Sequence, residues 1–220
     1  MKSNLFLIGL IILSLNPLWA QPQTTKLKED ESSVILKEIQ QKLISLHSAE
    51  INFSLQTVKE GKTINSTKGQ LWIKGDKYKL IIPSQHVYCD SINVWNYLPE
   101  QNEVNISLYD PQDDEIAINP IKLIANYKKY YRSAFVREFV EKGVTIQIID
   151  LYPLQNSAFF KVRLYIEKNK KEITKTSISE FDGYTYTYSF DSFIKNPKLS
   201  NQLFIFNTSQ YQNIEIIDLR

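Results

Sequence analysis

The sequence predicts a mainly β (α+β) chain: a curled, incompletely closed antiparallel half-barrel with an N-terminal amphipathic helix and a short helical lid over an apolar concave face. Three observations predict it. Through the stretch 69–106 almost every second side chain is large and apolar, and polar clusters fall where the chain must turn; this is the pattern of short antiparallel strands with one buried face. The chain carries 13 Tyr, 11 Phe and 3 Trp against 6 Gly, a composition that favours sheets over disorder. Two stretches, 32–46 and 119–127, replace the two-residue period with helical spacing.

The first twenty residues are read as a cleaved signal peptide. Lys2 supplies the positive start, Leu5 to Leu15 is an apolar run too short to span a bilayer comfortably, and Ala20 precedes Gln21 at the expected cut. Residues 21–31 read as a flexible polar leader and 32–220 as one domain. In the first helix Leu36, Ile39, Leu43 and Leu46 form one stripe, with Lys37, Gln41, Lys42 and Ser45 elsewhere on the cylinder. Asp30, Ser32 or Ser33 can cap its start.

Strands follow. Ile51, Phe53 and Leu55 alternate with polar residues, and Lys59 to Lys62 reads as a turn. Leu71 and Ile73 lead into a turn at Gly75-Asp76, and Tyr78, Leu80 and Ile82 come after it. Further strands are expected at 85–89, 94–98 and 103–108. An acidic loop, Asp110 to Glu115, precedes Asn119-Pro120, a favoured pair for starting a helix. In that helix Ile121, Leu123, Ile124, Ala125 and Tyr127 cover more than half the circumference, so it is read as inserting into something apolar. Strands resume at 135–140, 144–151, 158–167, 172–181 and 184–190, with Asp182-Gly183 as a strong hairpin signal. Leu203 to Phe206 and Ile214 to Ile217 complete a count of ten or eleven strands, a number that tends to curl.

Charge and reactive groups exclude several classes of function. Net charge is +2 with Lys and Arg scattered among acids, so no basic stripe addresses nucleic acid. The single cysteine, Cys89, lies far from the cleavage site, so it offers neither a disulfide nor an N-terminal lipid attachment point. His86 and Cys89 are three apart on one strand and point to opposite faces, and His47 ends the first helix. Asp110, Asp113, Asp114 and Glu115 lack calcium-loop spacing. Ser192-Phe-Ile-Lys195 matches a short acylating pattern with no second motif to support it. The chain is expected to be no enzyme and to need no cofactor or metal.

The apolar face is therefore read as the working part. Phe53, Leu55, Leu71, Ile73, Tyr78, Leu80, Trp95, Tyr97, Val104 and Ile106 are the expected lining of an acyl-chain cavity, and Ile121, Leu123, Ile124 and Tyr127 its lid. A sixteen-carbon chain costs roughly 12 kcal/mol to expose to water, at about 0.8 kcal/mol per CH₂. A soluble carrier must supply an apolar lining and cover it when empty.

The order of motifs resembles the LolA family of periplasmic lipoprotein carriers. The pieces are Gly-x-Leu-Trp-Ile-Lys (69–74), Tyr-x-Leu (78–80), Val-Trp-x-Tyr-x-Pro (94–99), Asn-Pro-x-x-Leu-Ile (119–124) and the ending Leu-Phe-Ile-Phe (203–206) with Ile-Glu-Ile-Ile-Asp-Leu-Arg (214–220). The resemblance implies a half-barrel sheltering the acyl chains of lipoproteins. It implies hand-over from an inner-membrane ABC-type release complex to an outer-membrane acceptor, by a monomer in the periplasm of a Gram-negative bacterium. By position it puts Trp72 in the family's Leu-Trp motif, Trp95 and Tyr97 in its Trp-x-Tyr motif, and Ile121 to Ile124 in its lid helix. Gly75 stands where many members have an arginine that ties lid to barrel, and Asp90-Ser91 replaces the usual Asp-Gly. The alternative is a periplasmic sensor that binds a lipid or lipoprotein on the same half-barrel and signals to a membrane partner.

Overall fold

A computed structural model describes residues 30–110 and 120–220. The expected signal peptide, most of the leader, the acidic stretch after Asp110 and the Asn119 cap lie outside the described residues. Helix α1 (Glu31–Ile44) is followed by β1 (Ala49–Lys59), β2 (Lys62–Lys74), β3 (Lys77–Ile82), β4 (Gln85–Cys89), β5 (Asn93–Leu98) and β6 (Glu103–Leu108). Helices α2 (Pro120–Ala125) and α3 (Tyr127–Tyr130) then lead into β7 (Tyr131–Glu141), β8 (Val144–Pro153), β9 (Phe159–Glu167), β10 (Glu172–Glu180) and β11 (Tyr184–Lys195), and β12 (Glu215–Asp218) ends the chain.

All twelve strands form one open, curled sheet in the order β12-β6-β5-β4-β3-β2-β1-β11-β10-β9-β8-β7. Two meanders, β1–β6 and β7–β11, are welded where β1 pairs antiparallel with β11 from Ala49↔Lys195 to Lys59↔Tyr184. Hairpin turns alone cannot make that join; the two meanders meet at their first and last strands. The sheet ends on β12 and β7.

Two sequence expectations need correction. Leu203 to Phe206 is not a strand: Asn201–Phe204 is a short 3₁₀ turn, capped by Ser200 Oγ accepting from the Gln202 N–H. Phe204 and Phe206 are both buried, so the apolar run marks packing against the sheet rather than membership of it. The second helix is also shorter than 119–127 and breaks at Asn126, where α3 begins.

The helices lie on one face of the sheet, the inner face. Asp30 starts α1, its carbonyl accepting from the Ser33 N–H at 2.9 Å. Ile35, Leu36 and Ile39 of α1 join Leu123, Ile124 and Tyr127 against Ile149 and Leu151 of β8 and Val162 and Leu164 of β9 in one buried cluster. A second cluster fills the inner face of β1–β4: Ala49, Ile51, Phe53, Leu55, Leu71, Ile73, Tyr78, Leu80, Val87 and Cys89. Ile121 packs on the second cluster while Leu123 and Ile124 belong to the first, so α2 bridges the two halves.

Candidate functional site

Strand register decides which candidate residues share a surface, because directly paired residues point the same way and neighbours alternate. Pairs run Ile51↔Leu71, Leu71↔Leu80 and Leu80↔Val87, and likewise Ile73↔Tyr78. Phe53, Leu55, Leu71, Ile73, Tyr78 and Leu80 are thus brought together on the inner face. Gly69 stands opposite Phe53, and a Cβ there would lie 2.3 Å from the Phe53 ring. Only glycine leaves that ring its place.

The same register corrects the other four. Val87 pairs with Asn96, and Cys89 with Val94, so the inner positions of β5 are Val94 and Asn96. Trp95, Tyr97, Val104 and Ile106 lie on the outer face, linked through Tyr88↔Trp95↔Ile106 and His86↔Tyr97↔Val104. They are apolar because the C-terminal segment covers them. Phe206 sits 5.4 Å from Tyr97 and 5.3 Å from Tyr88, and Tyr211 lies 4.6 Å from Tyr97. At this end of the sheet the outer face is the buried one, while the inner positions Val94, Asn96, Asn105 and Ser107 are only half-buried; alternation shows which side chains share a face but not which face that is. Trp72 shares the outer face, and Lys79 Nζ lies 5.5 Å from its ring centre and 4.9 Å from that of Tyr88.

Of the expected lid residues, Leu123, Ile124 and Tyr127 are 4 %, 0 % and 1 % exposed. They belong to the packed core, which changes what substitution there would do. Gln40 Nε2 of α1 donates to the Ala125 carbonyl at 2.6 Å, joining the two helices. A polar latch ties α2 to the sheet. Lys122 Nζ donates to Tyr109 Oη, Tyr109 Oη donates to Asp76 Oδ1 at 3.1 Å, and Lys122 and Asp76 form an ion pair at 3.6 Å. Asp76 follows Gly75, which makes the β2–β3 turn at φ 60°. The position where the resemblance implies an arginine thus builds the turn, and the cation comes from the helix instead. Burial pulls the Lys122 pKa down, but Tyr109 and Asp76 outweigh it and the net shift is upward. Burial likewise raises the Tyr109 phenol.

Among the described residues, an apolar open space lies at the other end of α1. A cavity of about 360 Å³ is lined by Ile39, Leu43 and Leu46 on one side and Ile173, Phe190 and Phe193 on the other, with Lys42, Lys171, Glu172, Lys195 and Asn196 around its mouth. Sequence reading missed the β10–β11 wall for a definite reason. In a regular strand Phe190 and Phe193 face opposite ways, but the pairing slips between Asn52↔Ser192 and Phe53↔Phe190. The bulge at Asp191 turns both aromatic rings inward. The signal available was Phe190 itself, already in phase with Tyr184, Tyr186 and Tyr188. Deeper along this wall Tyr188 lies 5.5 Å from Phe53, and burial pushes its phenol up to about 12.

The reactive pairs considered from sequence are separated. Cys89 belongs to the inner cluster, whereas His86 lies against Tyr97 on the outer face at 5.6 Å. Ser192 accepts from Asn52 Nδ2 at 2.7 Å, while Lys195 is held by Glu172 at 2.5 Å; Asn52 and Ala49, their partners in β1, face opposite ways.

Comparison with known proteins agrees with this architecture. Among solved structures, an uncharacterized conserved protein from Thermus thermophilus superposes with a TM-score of 0.55 at 12% identity, over 86% of this chain and 99% of its own. A DUF1329 family protein from Desulfovibrio piger gives 0.49 at 10% identity, over 83% and 100%. The LolA superfamily protein NE2245 from Nitrosomonas europaea gives 0.43 at 13% identity, over 80% and 97%. A search of curated proteins finds no match. The family described as outer membrane lipoprotein carrier protein LolA matches residues 45–207, from the end of α1 to just past Phe206. The chain belongs to the LolA family.

Proposed function

We propose that the protein is a periplasmic carrier that shields the acyl chains of lipoproteins and ferries them from the inner to the outer membrane. The observation that carries this reading is the apolar cavity of about 360 Å³ between the C-terminal half of α1 and strands β10 and β11. Its size falls within the range of about 300–1,000 Å³ usual for small-molecule sites. A hydrocarbon chain entering it leaves water, worth about 0.8 kcal/mol per CH₂. The work of such a carrier is binding and release, with no bond made or broken. Release then follows from a difference in affinity between two arrangements of the helices over the sheet, because a ligand shifts such an equilibrium only through differential binding.

In this reading the cargo is taken from an inner-membrane ABC-type release complex and given to an outer-membrane acceptor. A signal peptide over 1–20 delivers the chain to the periplasm, where it acts as a monomer. Native mass spectrometry of full-length protein exported in a Gram-negative host tests the cargo. Bound triacylated polypeptide supports the carrier, free lipid alone redirects the reading to a lipid shuttle, and an empty cavity with retained binding to a membrane partner favours the sensor.

A further inference from the structure

The cavity under the end of α1 has an apolar floor, but its rim carries cations. Lys42, Lys171 and Lys195 stand around the mouth. Lys195 is paired with Glu172 at 2.5 Å and Lys171 with Glu38 at 2.7 Å. Lys42 instead donates to a neutral partner, the Lys170 carbonyl, at 2.6 Å. Among the described residues three ammonium groups thus face two carboxylates, and the uncompensated charge belongs to Lys42. Lysine stems can lie along apolar surface while their heads stay in water, so the rim is suited to meet a charged group just where a hydrocarbon chain would emerge. An uncharged glyceryl head would gain nothing from that charge.

We propose that this cavity binds a single hydrocarbon chain ending in an anionic head, either carboxylate or phosphate, with Lys42 as the primary contact and Lys195 turning to it from Glu172. The proposal rests only on the reading that this cavity takes a hydrocarbon chain, and goes beyond the lipoprotein cargo to a free lipid with a charged head. A free fatty acid and a lysophospholipid both present this chemistry, and the probes below tell them apart. Two rim charges acting at partly exposed positions are worth about tenfold in affinity, a gain that salt should weaken.

The test is titration of the mature full-length protein with palmitate, lysophosphatidylglycerol and monopalmitoylglycerol, at low and high salt, by calorimetry. Wild type is expected to bind at least one anionic probe about tenfold tighter than the neutral one. Palmitate alone tightened identifies a carboxylate, lysophosphatidylglycerol alone a phosphate. The double variant Lys42→Gln/Lys195→Gln should abolish the difference, leave monopalmitoylglycerol unchanged and keep the wild-type melting temperature. Leu46→Trp, which fills the floor, should weaken all three. Equal binding of the three probes by wild type, or a preference that survives the double variant, overturns the anionic head while leaving acyl binding intact. Failure of all three to bind overturns the proposal, while the lipoprotein-carrier reading falls only if no acylated polypeptide is found bound; unaltered binding by Leu46→Trp overturns the cavity assignment.

Discussion

The two ends of α1 meet the same sheet and behave differently. Toward its N-terminus, Ile35 and Leu36 are 6 % and 0 % exposed, locked between α2 and strands β8 and β9. At its C-terminus and just past it, Leu43 and Leu46 look across about 360 Å³ of open space at Phe190 and Phe193. Amphipathicity is continuous along the helix; occupancy of the space beneath it is not. The difference is α2, which inserts Leu123 and Ile124 at one end and does not line the cavity at the other. A helix without a second layer over part of its length leaves room that a ligand can take, and α2 is a structural plug at the filled end.

That contrast can be broken most forcefully at Ile124. Ile124 is 0 % exposed, so Ile124→Asp buries a carboxylate in the packed half. The expected loss is about 3–5 kcal/mol, read by urea unfolding. Leu46→Asp at the open end should cost under about 1 kcal/mol. Similar costs at both ends would erase the distinction between filled and open.

Gly69→Ala tests whether the wall between the two halves is equally tight. Its Cβ would come within 2.6 Å of two Phe53 ring atoms and 2.8 Å of Ile82 Cγ2, and overpacking of this kind costs about 1–3 kcal/mol. Phe53→Leu in the same chain should recover part of the loss, measurable as a double-mutant cycle. Additive losses would mean the wall yields there.

Alkaline pH probes the tyrosines of the inner wall and latch. Burial raises Tyr188 from 10.0 to about 12, and Tyr109 is also raised. The folded state therefore holds protons that the unfolded chain has lost, so this stability is fully present below pH 10 and is lost as pH climbs from 10 toward 12. Tyr188→Phe should flatten that decline in a melting-temperature profile. An unchanged slope would place the titration elsewhere.

The smallest effect belongs to the latch. Lys122 and Asp76 side chains are 35 % and 61 % exposed, so Lys122→Met should cost only about 0.5 kcal/mol. Its readout is hydrogen exchange: amides of α2 should exchange faster while those of β8 and β9 stay protected. Faster exchange throughout would mean α2 is not a separate unit.

Much of this was legible in the chain itself. The strands of both meanders, the first helix stripe, Asp182-Gly183 and the apolar second helix all follow from periodicity and turn chemistry, because hydrophobic spacing and left-handed turns are local properties. Periodicity also put Phe53, Leu55, Leu71, Ile73, Tyr78 and Leu80 on one face. It failed for Trp95, Tyr97, Val104 and Ile106, since alternation fixes which side chains share a face but not which side of the sheet it becomes, and here the C-terminal aromatics cover the outer side. It failed again at Phe193, because a one-residue bulge inverts every side chain beyond it.

Local pattern thus determined which segments extend, which coil, and which side chains need to leave water. Tertiary structure alone decided that β1 would pair with β11, that the C-terminal aromatics would cover the outer face, and that α2 would fill only one end of α1. Those outcomes depend on contacts between residues far apart along the chain, such as Ala49↔Lys195 and the hydrogen bond from Gln40 to Ala125. No stretch of sequence carries the position of its distant partner, so the filled end and the hollow end of one helix become distinguishable only after the sheet has curled around it.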